Sequence, residues 1–256
     1  MTTDVKPQKR YVAQIMGMPI TLALRGRHTS DSPAHEAWVR IAESLLSADD
    51  IFSTYSDSSE ISRLNAGTLD LRDCPADVHE VLELGRQAEE RTNGYFSFQR
   101  FDEDGRTFLD PLGLVKGWAV ERAARIAASL PDTSYCLSAG GDMVCHTTAA
   151  RSDAWQVGIE DPHAPDRVIA VVPLRRASIA TSGSAHRGAH IIDPHTGLPS
   201  SGPASISVIG PSLMWADVYA TAACARGREA IPFLESVPGY VGFVVHRDGS
   251  STTVAA

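Results

Sequence analysis

No stretch of the 256-residue chain reaches the ~18 consecutive apolar residues that a membrane-spanning helix requires. Its opening residues, Met1-Thr2-Thr3-Asp4-Val5-Lys6-Pro7, hold no apolar run of signal-peptide length either, so a cytoplasmic protein without a membrane span is expected. Basic charge is short as well: 23 lysines and arginines face 31 aspartates and glutamates, a net charge of -8. A general nucleic-acid binder needs the opposite balance to neutralise phosphates, and the composition argues against that class. Cysteine is sparse and scattered. Cys74, Cys136, Cys145 and Cys224 form no CxxC pair and no ligand spacing, so neither a zinc ribbon nor a disulfide framework is indicated and buried thiols are expected. Cys145 and His146 are adjacent, but strand neighbours point to opposite faces, which argues against a shared metal or a nucleophile–base pair. There is no GxGxxG and no GxxxxGKS or GxxxxGKT, so neither a Rossmann nor a Walker site is supported. Lysine itself is nearly missing: Lys6 and Lys9 lie in the N-terminal tail, and Lys116 is the only other one. A body that otherwise uses arginine and places one lysine points to a position needing a compact ammonium rather than a planar fork.

What the chain does have is enough apolar residue to build a core. With 43% hydrophobic and 21% charged residues it has a globular composition, and its length is one that a single α/β unit can reach. Residues 1–10 read as a tail and residues 11–256 as one domain. Residues 11–24 suit strands around Gly17 and Pro19, with Met16-Gly17-Met18 as a bend. Trp38, Ile41, Leu45, Leu46 and Ile51 recur at helical spacing over 33–52, ahead of a hydroxyl-rich loop at 53–59. Asp77-Val78-His79-Glu80 resembles a capping box for a helix that stops at Asn93-Gly94. An extended piece at 108–110, a turn at 111–113 and a helix over 115–130 follow. Strands are expected at 135–144 (interrupted by Gly140-Gly141), 155–159, 168–174, 177–181 and 204–209, then a helix over 213–225 and a strand at 240–246. Helices and strands alternate without a regular βαβ rhythm, which points to an α+β fold with a largely antiparallel sheet.

Chemistry gathers in the last third. Asp217 and Thr221, four apart on a helix, project from one face as hard oxygen ligands suited to Mg²⁺. Alone, such a pair on an alanine-rich helix is most often solvated or capping. Its context is His190 on an apolar stretch, followed by the turn Asp193-Pro194-His195-Thr196-Gly197. A histidine titrates in the range a general base needs, although a strand histidine is more often structural. Upstream, the segment from Asp110 to Gly117 places an acid, a glycine and Lys116 at a helix start, an arrangement suited to an anionic ligand. Gly140-Gly141-Asp142 after a strand is a weak glycine signal.

Taken in order, Met16-Gly17-Met18, Phe52-Ser53-Thr54-Tyr55, Ser59 to Asn65, Asp110 to Gly117, Ala139 to Asp142, Ala180 to Gly183, His190 to Pro194 with Thr196-Gly197, and Ala216-Asp217 with Ala220-Thr221 resemble the ApbE family of FAD:protein FMN transferases. The resemblance covers nearly the whole chain. It implies a T-fold-related mixed α/β architecture and the Mg²⁺-dependent transfer of FMN from FAD, a substrate, to a Ser or Thr hydroxyl of a target protein, with release of AMP. It implies Asp217, Thr221 and backbone oxygens of Gly113 and Ala220 as metal ligands. It places Met16, Tyr55, Gly94, Tyr95, Phe96, Ser97, Asp110, Lys116, Gly140, Gly141 and Ile191 around FAD, with His190 as base and Lys116 as an electrostatic or adenylate-orienting group. The chain departs from the family pattern at Ser97, where an acid is common, at Ser184-Ala185-His186, and at His195, where arginine is common. A Mg²⁺-dependent FAD pyrophosphatase and a non-catalytic FAD-binding protein are the alternatives.

Overall fold

The structure, a computed structural model, describes residues 8–101, 104–148, 153–183 and 191–256. Its first hairpin joins β1 (Gln8–Ile15) to β2 (Met18–Gly26) through Met16 and Gly17, both at positive φ (54° and 69°). Helix α1 (Ser32–Phe52) follows, started by the Asp31 side chain, which accepts from Ala34 N. Its buried face carries Ile41, Leu45, Ala48 and Phe52, whereas Leu46, which the spacing puts on that face, is exposed. Ser59 caps the short α2 (Glu60–Asn65) and donates through Oγ to the Ser53 carbonyl at 2.7 Å, closing the hydroxyl-rich loop on itself.

Helix α3 (Ala76–Arg91) does not use the capping box expected at Asp77 to Glu80. Pro75 occupies the cap, and the two acids reach the neighbouring helix instead: Asp77 accepts from Arg122 at 2.6 Å and Glu80 from the Trp118 indole at 3.1 Å. A small hairpin, β3 (Gln99–Phe101) and β4 (Thr107–Leu109), leads into α4 (Leu112–Ala128). That helix starts three residues earlier than the apolar period predicts, because the Pro111 carbonyl accepts from both Leu114 and Val115. The stretch expected as one interrupted strand is a hairpin, β5 (Thr133–Ala139) and β6 (Asp142–His146), turned by Gly140 and Gly141 at φ 56° and 100°. Two adjacent positive-φ residues favour glycine in a two-residue turn.

The remaining elements are β7 (Trp155–Asp161), β8 (Ala164–Leu174), β9 (Arg176–Gly183), β10 (Ser205–Gly210), α5 (Leu213–Ala225), α6 (Ala230–Glu235), β11 (Val241–Val245) and β12 (Ser251–Ala255). Eight strands form one antiparallel sheet in the order β1-β2-β5-β6-β9-β10-β11-β12. The alternation of side chains along a strand divides this sheet into two buried faces. Ile20, Leu22, Leu24, Leu137, Ala180, Ile206, Val208 and Val244 meet α1, α4 and α5 in the main core. Ala23, Cys145 and Ile179 point the other way and meet Trp155, Val157, Ile159 and Leu174 of the β7–β8 hairpin. Cys136 and Cys145 sit directly opposite each other on this second face, with their sulfurs 3.4 Å apart as thiols.

Leu22 is fully buried on β2, between β1 and β5. Leu22→Ala is expected to lower the unfolding free energy by about 2–5 kcal/mol through lost burial and a residual cavity. Val171→Ala, at an exposed position of β8, is expected to stay within about 0.5 kcal/mol. Urea titration of both variants checks the pair.

Candidate functional site

Helices α4 and α5 approach unusually closely, and the sequence reason is Gly117: a Cβ built there would lie 2.7 Å from Met214 Cα. Their register is pinned by Glu121, which accepts from Ser212 Oγ at 2.7 Å and Met214 N at 3.2 Å at the start of α5, where a carboxylate also suits the helix dipole. With the helices locked in this way, Lys116, one residue before the glycine, is directed at the carboxylate of Asp217. Its Nζ lies 3.3 Å from Asp217 Oδ2 and 2.6 Å from Asp142 Oδ2. Asp142 follows the two-glycine turn at the start of β6 and is 2% exposed; Asp217 is 3% exposed.

The other strands complete this cluster. Asp142 Oδ1 accepts the Thr181 N–H at 3.0 Å, so the carboxylate bonds to β9 just beyond the Met143–Ile179 pair. The next residue, Ser182, shares a 3.0 Å hydrogen bond between its Oγ and Thr221 Oγ1. Asp217 and Thr221 thus stand one turn apart on α5, as their spacing predicts, and the ammonium and a second carboxylate face the first of them. Burial alone would lower the Lys116 pKa, but the carboxylates of Asp217 and Asp142 outweigh it and raise the group above the ordinary lysine value. A raised cationic pKa means that the cluster's stabilisation is present through neutral pH and is lost only as pH climbs past the lysine range.

Among the described residues, Lys116 is the ammonium that faces these two buried carboxylates, and a divalent cation would add positive charge beside them. Among the described residues no three His, Cys, Asp or Glu side chains gather as a metal cluster. The donors to hand are the Asp217 carboxylate, the Thr221 hydroxyl and nearby backbone oxygens. That set suits Mg²⁺, which prefers hard oxygens and retains positions for water and substrate phosphates. Gly113 lies inside the first turn of α4 with its Cα facing the Phe96 ring, and Ala220 is fully buried. The expectation that Lys116 marks the helix start is corrected by the earlier start of α4: it stands in the second turn and faces β6 and α5.

Around the cluster the loops are tied to one another. The Met16–Gly17 turn and the Gly140–Gly141 turn are neighbours: Gly140 N donates to the Pro19 carbonyl, and Met18 Sδ lies 3.2 Å from where a Gly140 Cβ would be. Leu109, the residue before Asp110, is held by Asn65, whose side chain accepts from its N–H and donates to its carbonyl, both at 2.8 Å. Asp110 itself lies 3.7 Å from the Arg100 guanidinium. The Gly94-Tyr95 turn meets the downstream loop through His195, which bonds the Asn93 carbonyl at 3.1 Å and stacks edge-on against Tyr95 at 4.4 Å. Arg226, at the end of α5, lies over the rings of Tyr95 and Phe233 and donates to the Thr92 carbonyl at 2.7 Å.

Not every expected residue joins this group. Tyr55 is 92% exposed, and the Phe96 side chain packs in the main core. Ser97 donates to Glu89 Oε1 of α3 at 2.6 Å. Ile191 is half-buried, and its carbonyl accepts from Ser200. His190 and Ser184-Ala185-His186 lie outside the described residues. Asp142, Ser182, Asn65 and Arg226 were not singled out from sequence as site residues. For Asp142 the available signal was an acid directly after a glycine–glycine turn.

With fold and geometry in place, comparison with known proteins defines the class. Residues 16–99 and 99–243 match the model of the ApbE family, and the chain belongs to that family. Among particular relatives, a FAD:protein FMN transferase of Klebsiella pneumoniae is 27% identical over 181 residues, which cover 63% of this chain and 51% of that one. One of Treponema pallidum is 30% identical over 159 residues, 55% and 44% of the two chains. The matched region thus spans about half the length of these relatives. In solved structures the fold recurs in an ApbE protein of Thermotoga maritima (TM-score 0.83, 19% identity, 97% of both chains). It recurs also in the apo form of a Pseudomonas stutzeri flavinyl transferase ApbE (TM-score 0.81, 24% identity, 99% of this chain and 96% of that one).

Removing the ammonium leaves two buried carboxylates facing each other. Lys116→Met is expected to cost roughly 3–5 kcal/mol of stability, and Mg²⁺ is expected to raise the Tm of this variant more than that of the unmodified protein. Thermal unfolding with and without Mg²⁺ checks this; equal shifts would show that no cation enters between the acids.

Proposed function

We propose that residues 11–256, as one domain, transfer FMN from FAD to a Ser or Thr hydroxyl of an acceptor protein and release AMP. The reading rests on one arrangement: the buried Asp217 carboxylate, one helical turn from Thr221 and in contact with Lys116, in a chain of the ApbE family. Relatives bearing the name FAD:protein FMN transferase support the substrate and the reaction class.

In this reading Asp217 and Thr221, with backbone oxygens of Gly113 and Ala220, hold Mg²⁺. Bound there, the cation supplies charge neutralisation for the FAD diphosphate. Lys116 adds a fixed positive charge beside the same diphosphate, and the low dielectric around it strengthens that contribution. Met16, Gly94 to Ser97, Asp110, the Gly140–Gly141 turn and Ile191 border the bound nucleotide, with Tyr55 as an exposed ring free to cover it. His190 takes the proton from the acceptor hydroxyl, whose oxygen bonds to the FMN phosphorus as the bond from that phosphorus to the bridging oxygen breaks and AMP leaves carrying the bridging oxygen. General-base assistance of this kind typically contributes ~10²–10⁴-fold.

The test is an intact-mass measurement on an acceptor carrying the sequence Asp-x-x-Ser/Thr-Gly-Ala-Thr, incubated with the protein, FAD and Mg²⁺. The acceptor is expected to gain one FMN group, with one AMP released per acceptor. Free FMN and AMP without acceptor would identify a pyrophosphatase, and unchanged FAD under every metal condition a binding protein. His190→Ala is expected to slow transfer by ~10²-fold or more with FAD binding retained.

A further inference from the structure

The resident ammonium poses a problem for any cation that is to use Asp217, because Lys116 already touches that carboxylate at 3.3 Å. A cation arriving there competes with a covalently tethered charge. The shorter of the two contacts, however, is the 2.6 Å one to Asp142. Asp142 is almost fully buried, and its second oxygen is fixed by the Thr181 N–H at 3.0 Å, so the acid itself has no freedom to follow the ammonium. Its backbone is fixed too, since Asp142 closes a two-glycine hairpin and pairs with Ala139 across it.

We propose that Asp142 is a positioning residue that retains Lys116 when a divalent cation occupies Asp217, keeping the ammonium inside the site and off the metal's carboxylate. The inference rests on Asp217 as a cation ligand and goes beyond it, since it gives a role to an acid that touches neither metal nor substrate. Without Asp142 the ammonium has one carboxylate left and becomes a direct competitor for the cation. With it, the ammonium and the cation occupy separate acids, and both positive charges are available to one diphosphate.

Mn²⁺ binding to the full chain, followed by the electron paramagnetic resonance of the free ion, tests this without any turnover. Asp142→Asn preserves shape and the acceptor for Thr181 N–H, and it is expected to weaken Mn²⁺ binding roughly tenfold, or 1.4 kcal/mol. The same substitution in a Lys116→Met background is expected to have little effect, because the competitor is gone. An equal loss in both backgrounds would mean that Asp142 contributes only its charge, and would overturn the proposal. Asp217→Ala is the control: if it binds Mn²⁺ like the unmodified protein, the ligand reading fails rather than the role of Asp142. Should the Lys116→Met variants not fold, the three-lysine sequence permits a second measurement, the Nζ resonance of ¹⁵N-labelled lysine. In the unmodified protein a slowly exchanging Lys116 ammonium signal is expected to persist at saturating Mg²⁺ and to be lost in Asp142→Asn. Its loss on Mg²⁺ addition in the unmodified protein would overturn the proposal.

Discussion

A single ammonium held between two buried carboxylates organises this molecule. Burying any of the three charges alone would cost several kcal/mol, so each is tolerable only while the others stay in place. That requirement reaches far into the fold. It needs α4 and α5 close enough for Lys116 to touch Asp217, which Gly117 permits and Glu121 fixes. It needs the β5–β6 hairpin to end where Asp142 meets Lys116, which two positive-φ glycines accomplish. It also needs β9 alongside, bonding Asp142 through Thr181 and Thr221 through Ser182.

The layers around the cluster explain why so charged a site is stable inside the molecule. The sheet is apolar on both faces: helices cover one and the β7–β8 hairpin the other. Strand ends and turns therefore carry the polar work. Met16-Gly17, Gly140-Gly141 and the Asn93-Gly94 turn all bear positive φ values, and several of the residues expected around a nucleotide, Met16, Gly94, Gly140 and Gly141 among them, lie on these turns. Loops on a rigid scaffold are the usual carriers of binding residues. Arg226 and His195 extend the same principle, fastening loops that are distant in sequence to the turn at residues 92–95.

Much of this was legible in the sequence, and the parts that were not share physical causes. The antiparallel sheet followed from helices and strands interleaved without a regular βαβ rhythm, and the Asp217–Thr221 pair from helical spacing. The scarcity of lysine marked Lys116 before any partner was known. Asp142 escaped as a site residue because its partners lie on other elements and its turn looked like ordinary glycine chemistry. α2 and α6 are six residues each, too short for a helical period to register, and β12 buries a single apolar residue, Val254. The capping box failed for a different reason. Local pattern proposed it, but Asp77 and Glu80 found stronger partners on α4. The contact between Ser97 and Glu89 becomes visible only once α3 and the following loop are folded together.

In the proposed function this cluster is a cation–diphosphate site in which metal and lysine occupy different acids. Crystals grown with FAD and Mn²⁺ offer the most direct test, through the anomalous signal of the metal. One peak is expected in contact with Asp217 and Thr221, with the FAD diphosphate against it and Lys116 still on Asp142. A metal peak on Asp142, or FAD bound with its diphosphate away from Asp217, would contradict it.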